Sequence, residues 1–400
     1  MTEQRPSTFD RSLHAPVPLW RDIRAIQVVA QILFLIAVIV AGFWLINNLI
    51  NNLEASKIAI DFGVLERPFG TKISEGQLDF NPGESSNWKA LQAGVQNTLR
   101  VVVVGLAGAT ILGVLIGIGR LSTNFLVRSV AVTYIEIFRN TPLLVQLYFI
   151  YRGLRLTLPE TLADSYRLPG PIFINRRAIN FPLIQGTDSA WLLYAGLAAG
   201  LAAGIALWIW RLRVQDRTGQ PAHTLRWFAP AVLTGAAVGW LLSGNPFTVD
   251  YPRLETFNFT GGDRLSAEYT ALTLGLILYT AAFIADIVRA GIQAVPYGQI
   301  EAARAQGFSG GQTLRLIVLP QALRLIIPPL GNQYLNLAKN SSLGIAIGFF
   351  DVYNVANVIS NQTGQSVALF AVMMLIYLAI SLAISAIMNA VNYSMRLRSR

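Results

Sequence analysis

Long apolar stretches alternate along the chain with shorter polar ones. Eight of the apolar stretches approach or exceed the roughly 20 residues that a helix needs to cross the hydrocarbon core of a bilayer. They lie at residues 26–49, 98–119, 130–151, 190–210, 227–243, 267–288, 325–349 and 367–391. The pattern predicts an all-α polytopic membrane protein with about eight transmembrane helices. The first stretch is expected to be a retained span, because no small-residue cleavage site follows it.

The composition agrees with a membrane protein. Hydrophobic residues make up 53% of the chain and charged residues only 13%, whereas a soluble domain is usually about a quarter charged. The chain has no cysteine, and its two histidines, His14 and His223, lie in arginine-rich polar stretches. We therefore predict no catalytic residue, no bound cofactor and no metal site, and a membrane enzyme is the least favoured class.

The net charge of +10 follows the membrane topology. If the N-terminus is inside, the inner segments carry 17 Lys and Arg residues and the outer loops 11, which is about twice the density on the inner side. This is the positive-inside bias. It predicts that both termini are cytoplasmic, with tails at 1–25 and 393–400, and it explains the basic charge without a nucleic-acid partner.

Small residues recur every four positions in two of the spans. Gly105, Ala109, Gly113 and Gly117 form one such row, and Gly196, Gly200 and Gly204 form another. Rows of this kind let helix backbones approach closely in a membrane. A subunit contact would use them too, but packing within one bundle is the favoured interpretation.

The polar segment 289–324 lies on the predicted inner side. Pro296-Tyr297-Gly298 interrupts the chain, and residues 299–306 then predict a short helix with Glu301 in its first turn. Gly307 is a candidate for a left-handed cap. Ser309 and Gln312 fit a capping box that opens a second helix, which is expected to run to Pro320.

The first of these short helices has a nearly smooth surface. Ala302, Ala303 and Ala305 give it only small side chains, so that it is able to lie deep in a groove of a partner. Capping physics leaves two interpretations open, a docking element and an ordinary surface linker.

An ordered set of motifs resembles a known family. Residues 301–303 with Gly307 and 317–320 resemble the E-A-A…G…I-x-L-P loop of the inner-membrane permease subunits of ABC importers. The stretches 136–146, 289–292, 298–307 and 339–343 resemble the polar amino-acid branch of that family, although Asp286 stands where Glu is common. Ile118-Gly-Arg-Leu-Ser122 and the two long outer loops are similar to one of the two unequal permease subunits of general L-amino-acid importers.

The resemblance implies a fold and a set of partners. It implies a type I ABC importer permease core at 98–151 and 267–392, with a periplasmic loop at 50–97 and extra loops and two spans at 152–266. The implied partners are a dimer of a cytoplasmic ATP-binding subunit, a second homologous permease subunit and a periplasmic amino-acid-binding protein. The chain lacks a phosphate-binding loop, so ATP and Mg²⁺ are expected in the ATP-binding subunit. The protein would lie in the bacterial inner membrane.

The same resemblance assigns the contact with the ATPase to the inner segment. Glu301 is expected to make the polar contact and Gly307 to aim the helix. The remaining residues of the expected coupling set are Ala302, Ala303, Leu319 and Pro320.

Charged and amide side chains inside the spans are candidates for a substrate pathway, because they are costly in a bilayer. Glu136 and Arg139 are spaced to pair with each other in the third span, and Pro142 and Pro328-Pro329 are expected to break helices nearby. The full candidate set is Glu136, Arg139, Asn140, Asn336, Lys339, Asn340 and Ser342. A structural ion pair and a snorkelling lysine explain these residues equally well. Asp286 and Arg289 are expected to form an interfacial pair.

Two function classes fit these observations. The first is a permease subunit that is powered by a partner ATPase. The second is an autonomous ion-coupled transporter or channel, in which Glu136, Asp286 and Lys339 would form a relay. The two differ in whether the chain transports without an ATPase.

Overall fold

The computed structural model describes residues 22–55, 60–73, 75, 80–219, 223–255 and 258–395. Most of the predicted N-terminal tail and residues 396–400 of the predicted C-terminal tail lie outside this set. The chain forms two units, Met1–Phe62 and Gly63–Arg400. Twelve α-helices occur in the described residues: α1 (Ile23–Ala55), α2 (Asn87–Arg120), α3 (Phe125–Asn140), α4 (Leu143–Thr157), α5 (Ala190–Thr218), α6 (Thr224–Ser243), α7 (Ala267–Gln293), α8 (Tyr297–Ala305), α9 (Gly310–Thr313), α10 (Leu319–Asn340), α11 (Val352–Thr363) and α12 (Ser366–Ser394).

Seven helices of the described residues are long and apolar enough to cross a membrane, which confirms the predicted polytopic helical fold. The third predicted span, 130–151, is the exception, because α3 and α4 divide it at Thr141 and Pro142. Proline has no N–H to donate and holds the preceding residue in an extended conformation. The Nε2 of Gln146 donates to the carbonyl oxygens of Phe138 and Thr141, each at 2.9 Å, and so satisfies carbonyls that the break leaves free.

Pro320, Pro328 and Pro329 were expected to end or break helices, but they do not. A continuous helix runs from Gly310 to Ile347 and contains α9, a π-helical turn at Leu314–Val318, α10 and a 3-10 segment. Pro320 therefore does not end the second short helix, and Pro328-Pro329 lie inside α10. The wider π turn comes directly before Pro320, where it makes room for a ring that would otherwise meet the carbonyl four residues earlier.

Helix α7 is the centre of the bundle and packs against α2, α3, α4 and α10. Its contact with α2 uses the small-residue row of that helix. A Cβ added at Gly113 would lie 2.6 Å from the Cβ of Ile284, and one at Gly117 would lie 2.8 Å from the carbonyl oxygen of Ala285. The row therefore serves packing within the bundle, as the sequence favoured.

The second small-residue row joins α5 to α6. A Cβ added at Gly196 would lie 2.5 Å from the carbonyl oxygen of Gly235, and one at Gly200 would lie 2.9 Å from that of Ala231. The two helices thus form a close antiparallel hairpin, in which any side chain larger than hydrogen at these glycines would push the backbones apart.

The two loops that flank this hairpin contain β-strands that were not predicted. They are β1 (Tyr166–Leu168), β2 (Ile172–Ile174), β3 (Ala178–Phe181), β4 (Leu183–Gly186), β5 (Phe247–Asp250), β6 (Arg253–Leu254), β7 (Phe259–Thr260) and β8 (Asp263–Ser266). A four-stranded antiparallel sheet has the order β1-β2-β3-β8. Because Ala178 pairs with Ser266 and Phe181 with Asp263, the loops 152–189 and 244–266 form one small domain.

Candidate functional site

The predicted coupling segment is a helix–turn–helix unit. Helix α8 spans Tyr297–Ala305, two residues earlier than expected, so Glu301 lies in its second turn and not in its first. The predicted left-handed glycine is present, since Gly307 has a φ of 80°. The N–H of Phe308 donates to the carbonyl of Ala303 at 3.1 Å, and the N–H of Gly307 donates to that of Arg304 at 2.9 Å. This is the bond pattern of a Schellman cap.

The helix that follows begins with the capping box predicted for it. The N–H of Ser309 donates to Oε1 of Gln312 at 2.8 Å, and the N–H of Gln312 donates to Oγ of Ser309 at 3.4 Å. Both sides of the turn are therefore closed by hydrogen bonds. Since this second helix continues to Ile347, the turn is joined rigidly to a membrane-spanning helix.

The expected coupling residues do not share one surface. Glu301, Ala302 and Gly307 are exposed, as are Leu319 and Pro320 at the start of α10. Ala303 is buried and anchors α8 on its own chain, so it is not part of the smooth exposed face. That face consists of Ala302 and Ala305 beside Glu301, which makes no hydrogen bond or ion pair with the described part of the chain.

Asp286 is the centre of a cluster of three arginines. Its carboxylate binds Arg120 of α2 and Arg139 of α3, and the Nε of Arg289 lies 3.6 Å from its Oδ1. The carboxylate is only 19% exposed and joins three helices at one end of the bundle. The expected pair of Asp286 and Arg289 is thus one part of a larger cluster. Sequence reasoning did not single out Arg120, although it lies in the Ile118–Ser122 motif at the end of α2.

The pair expected between Glu136 and Arg139 is not formed. Arg139 turns to Asp286, and Oε2 of Glu136 accepts a hydrogen bond from Nδ2 of Asn140 at 2.9 Å. All three side chains of this α3 group are exposed in the single chain.

The candidates of the seventh span form a separate group. Asn336 and Lys339 are exposed on α10, and Asn340 is half-buried beside them. The hydroxyl of Ser342 donates to the carbonyl of Lys339 at 2.8 Å. Among the described residues, no hydrogen bond or ion pair joins this group to the one on α3, so one chain does not assemble a complete site from the two.

Asp351 is a buried acid that sequence reasoning missed. It is fully buried and caps α11: its Oδ1 accepts from the N–H of Asn354 at 2.8 Å, and its Oδ2 accepts from the hydroxyl of Tyr377 at 3.0 Å. Burial raises the pKa of Asp351 from 3.8 to about 6, and the hydrogen bonds only partly offset it. The only signal was an acid directly before a helix, which is common at N-caps.

This raised pKa predicts that stability falls with rising pH. Below pH 4 the carboxyl is protonated in both the folded and the unfolded chain, whereas between pH 4 and 6 the unfolded chain loses its proton first. The folded state therefore loses about 3 kcal/mol as the pH rises from 4 to above 6. Asn keeps the capping oxygen, so Asp351→Asn should remove this component. Thermal unfolding of the purified chain at pH 5 and pH 7.5 should show about half of this loss, about 1.4 kcal/mol, because the unfolded carboxyl is already mostly ionised at pH 5.

Asp216→Asn is the matched control, because Asp216 is exposed on α5. It should leave the difference between the two pH values as in the wild type. An Asp351→Asn variant with an unchanged difference would contradict the prediction.

Comparisons with known proteins identify the family. Residues 262–397 match the family model of the binding-protein-dependent transport system inner membrane component. The chain is 41% identical, over 92% of both chains, to the general L-amino acid transport system permease protein AapQ of Rhizobium johnstonii. The chain belongs to the amino-acid permease subunits of ABC transporters. It is also 38% identical, over 94% of both chains, to the glutamate/glutamine/aspartate/asparagine transport system permease protein BztB of Rhodobacter capsulatus.

Among solved structures, a crystal structure of an amino acid ABC transporter with histidines matches at 21% identity and a TM-score of 0.45. The match covers 76% of this chain and 94% of the other. The family model and the relatives, together with the seven long apolar helices of the described residues, show an inner-membrane transport component with several membrane-spanning helices. The predicted family and function are confirmed.

Proposed function

We propose that this permease forms one half of the translocation pathway of an ATP-driven importer of L-amino acids. A dimer of cytoplasmic ATP-binding subunits holds ATP and Mg²⁺, and both termini of this chain lie on the same side as that dimer. A second homologous permease subunit supplies the other half of the pathway. A periplasmic amino-acid-binding protein delivers the substrate to the outer loops.

The single observation that carries the proposal is the helix from Gly310 to Ile347. It begins at the turn that positions α8 and ends beyond Lys339, inside the predicted seventh span. A force on α8 is therefore transmitted along one rigid element to the polar residues of α10. The Schellman cap and the capping box hold α8 at a fixed angle to this helix.

The exposed polar residues support a second permease subunit. Asn336 and Lys339 on α10 and Arg139 on α3 are accessible in the single chain. Charged and amide groups of membrane spans avoid lipid and face other helices or a water-filled path. A second permease subunit against these helices would cover them and would bring the two polar groups to one pathway.

The proposal is tested by reconstitution of the permease with its co-purified partners in liposomes. We expect recovery of an ATP-binding subunit and a second permease, and amino-acid uptake only when ATP is present. Glu301→Lys reverses a charge on the exposed face of α8 and should lower recovery of the ATP-binding subunit about tenfold or more, equivalent to about 1.4 kcal/mol.

Glu84→Lys is the matched control, because Glu84 is exposed in the outer segment before α2 and should not affect recovery. The alternative function, an autonomous ion-coupled transporter, makes the opposite prediction. Uptake by this chain alone, in liposomes without ATP and with an ion gradient, would overturn the proposal.

A further inference from the structure

The domain formed by the two outer loops contains a cavity of about 490 Å³. Its lining comes from the end of α4, the β2–β3 hairpin, β8 and the first turn of α7. Four arginines and one acid line it: Arg155, Arg176, Arg177, Arg264 and Glu268. A cavity of this volume is in the range of small-molecule sites, which is about 300–1,000 Å³.

Two of the four arginines already have acidic partners. Arg176 forms an ion pair with Glu160, and Arg264 is attracted to the buried carboxyl of Glu75. The other two differ: neither Arg155 nor Arg177 forms an ion pair with a carboxylate in the described ranges. Arg155 donates instead to the hydroxyl of Tyr151 at 2.8 Å.

The acid of the cavity, Glu268, is linked to Arg155 through one hydroxyl group. Oε1 of Glu268 accepts a hydrogen bond from the hydroxyl of Tyr151 at 2.8 Å, so Tyr151 connects Glu268 to Arg155. No ion pair of Glu268 occurs in the described residues. Arg155 and Glu268 attract each other across this hydrogen-bond bridge, and Arg177 leaves the group with one excess positive charge, opposite to the net charge of a dicarboxylic amino acid.

A buried amide provides independent evidence for a ligand. Asn180 on β3 is only 6% exposed and lines the cavity. Its side chain makes no hydrogen bond to the part of the chain that the structure describes. The amide is open to the cavity, from which a bound molecule is able to satisfy it.

We propose that this cavity binds a free dicarboxylic amino acid. Two carboxylates and one ammonium group match Arg155, Arg177 and Glu268 one for one, and Asn180 supplies a further hydrogen bond. Taking the ligand to be an amino acid rests on the proposed function. The site lies in the insert between α4 and α7 and is separate from the candidates on α3 and α10.

The concave shape favours a small molecule over the acidic side chain of a docked protein. Asn180 is nine-tenths buried at the lining, where a small ligand reaches it more readily than a side chain on a large surface does. The experiment below distinguishes a free amino acid from an acidic side chain of a docked protein.

The test is equilibrium binding of radiolabelled L-glutamate to the purified full chain in lipid nanodiscs. We expect saturable binding, and binding of L-glutamine about tenfold weaker, because its neutral amide does not pair with the second arginine. Arg177→Gln and Arg155→Gln should each weaken glutamate binding about tenfold or more. Asn180→Leu keeps the branched shape of the side chain but removes its hydrogen-bonding atoms, so it should also weaken binding. Unchanged affinity in this variant would mean that Asn180 makes no hydrogen bond to the ligand.

Arg167→Gln is the matched control, because Arg167 lies on β1 over the ring of Phe173 and does not line the cavity. It should bind glutamate like the wild type. Absence of saturable glutamate binding, or equal binding by Arg177→Gln and the wild type, would overturn the inference. If glutamate does not bind while capture of the periplasmic binding protein depends on Arg177, the cavity is a docking site and the inference is wrong.

Failure of the inference is distinguishable from failure of the proposed function. ATP-driven uptake by the reconstituted complex without glutamate binding to the chain would reject the cavity alone. Glutamate binding to the chain without ATP-driven uptake would reject the importer and keep the site.

Discussion

Asp286→Asn is expected to lower the free energy of unfolding by about 3 kcal/mol or more, the largest loss of stability that we predict. The substitution removes the carboxylate that binds Arg120, Arg139 and Arg289, and it leaves three guanidinium groups together at one end of the bundle. Breaking a fully buried ion pair on one side typically costs about 3–5 kcal/mol, because the remaining charge is uncompensated, and the lower figure applies here because Arg139 is 43% exposed. Thermal unfolding of the purified chain in mild detergent measures the change.

Two further substitutions serve as controls for Asp286→Asn. Asp263 forms an ion pair with one arginine, Arg100, at 3.3 Å, so Asp263→Asn should cost about 1 kcal/mol. Asp286→Glu keeps the charge and should retain most of the stability. If Asp286→Asn unfolds at the temperature of the wild type, the cluster does not hold α2, α3 and α7 together.

Gly307→Val is expected to reduce ATP-driven uptake at least about tenfold while the protein still inserts in the membrane. Gly307 has a φ of 80°, a conformation that a β-branched residue adopts only under strain. Nothing lies within 4 Å of a Cβ added there, so the strain comes from the backbone alone and not from a clash. The turn between α8 and α9 should therefore open and redirect α8. Uptake and ATP hydrolysis of the reconstituted complex, measured together, report the loss of coupling.

Gly310→Val is the matched control for this variant. Gly310 is the first residue of α9, has an ordinary φ and is also open to an added Cβ. It receives the same side chain three positions away without left-handed strain, so uptake should remain near that of the wild type. Normal uptake by Gly307→Val would show that the angle of α8 does not matter for coupling.

Local signals predicted the caps well and the helix breaks poorly. The left-handed Gly307 and the capping box of Ser309 and Gln312 depend on residues within one turn of each other, so the sequence contains all that determines them. Of the prolines, Pro142 breaks a helix whereas Pro320, Pro328 and Pro329 do not. Whether a proline ends a membrane helix depends on neighbours that satisfy the freed carbonyls, as Gln146 does, and on turns such as Leu314–Val318.

Electrostatic partners were the least predictable feature. Glu136 and Arg139 are three residues apart and were expected to pair, yet Arg139 binds Asp286, which is 147 residues away. The geometry of one helix shows which pairs are possible, but the neighbouring helix decides which of them forms. The arginine cavity was likewise invisible, because β3 and β8 come from loops that are separated by the whole α5–α6 hairpin.

The sequence by itself determined the class of the protein, the approximate spans and the family, and it predicted the inner coupling segment, because apolar length, charge bias and local motifs depend on residues that are close together in the chain. The tertiary structure decided what each helix packs against, which acid the arginines bind, and that two polar loops form a sheet with a cavity. These features depend on contacts between residues far apart in the chain, and no local pattern specifies them before the helices have packed.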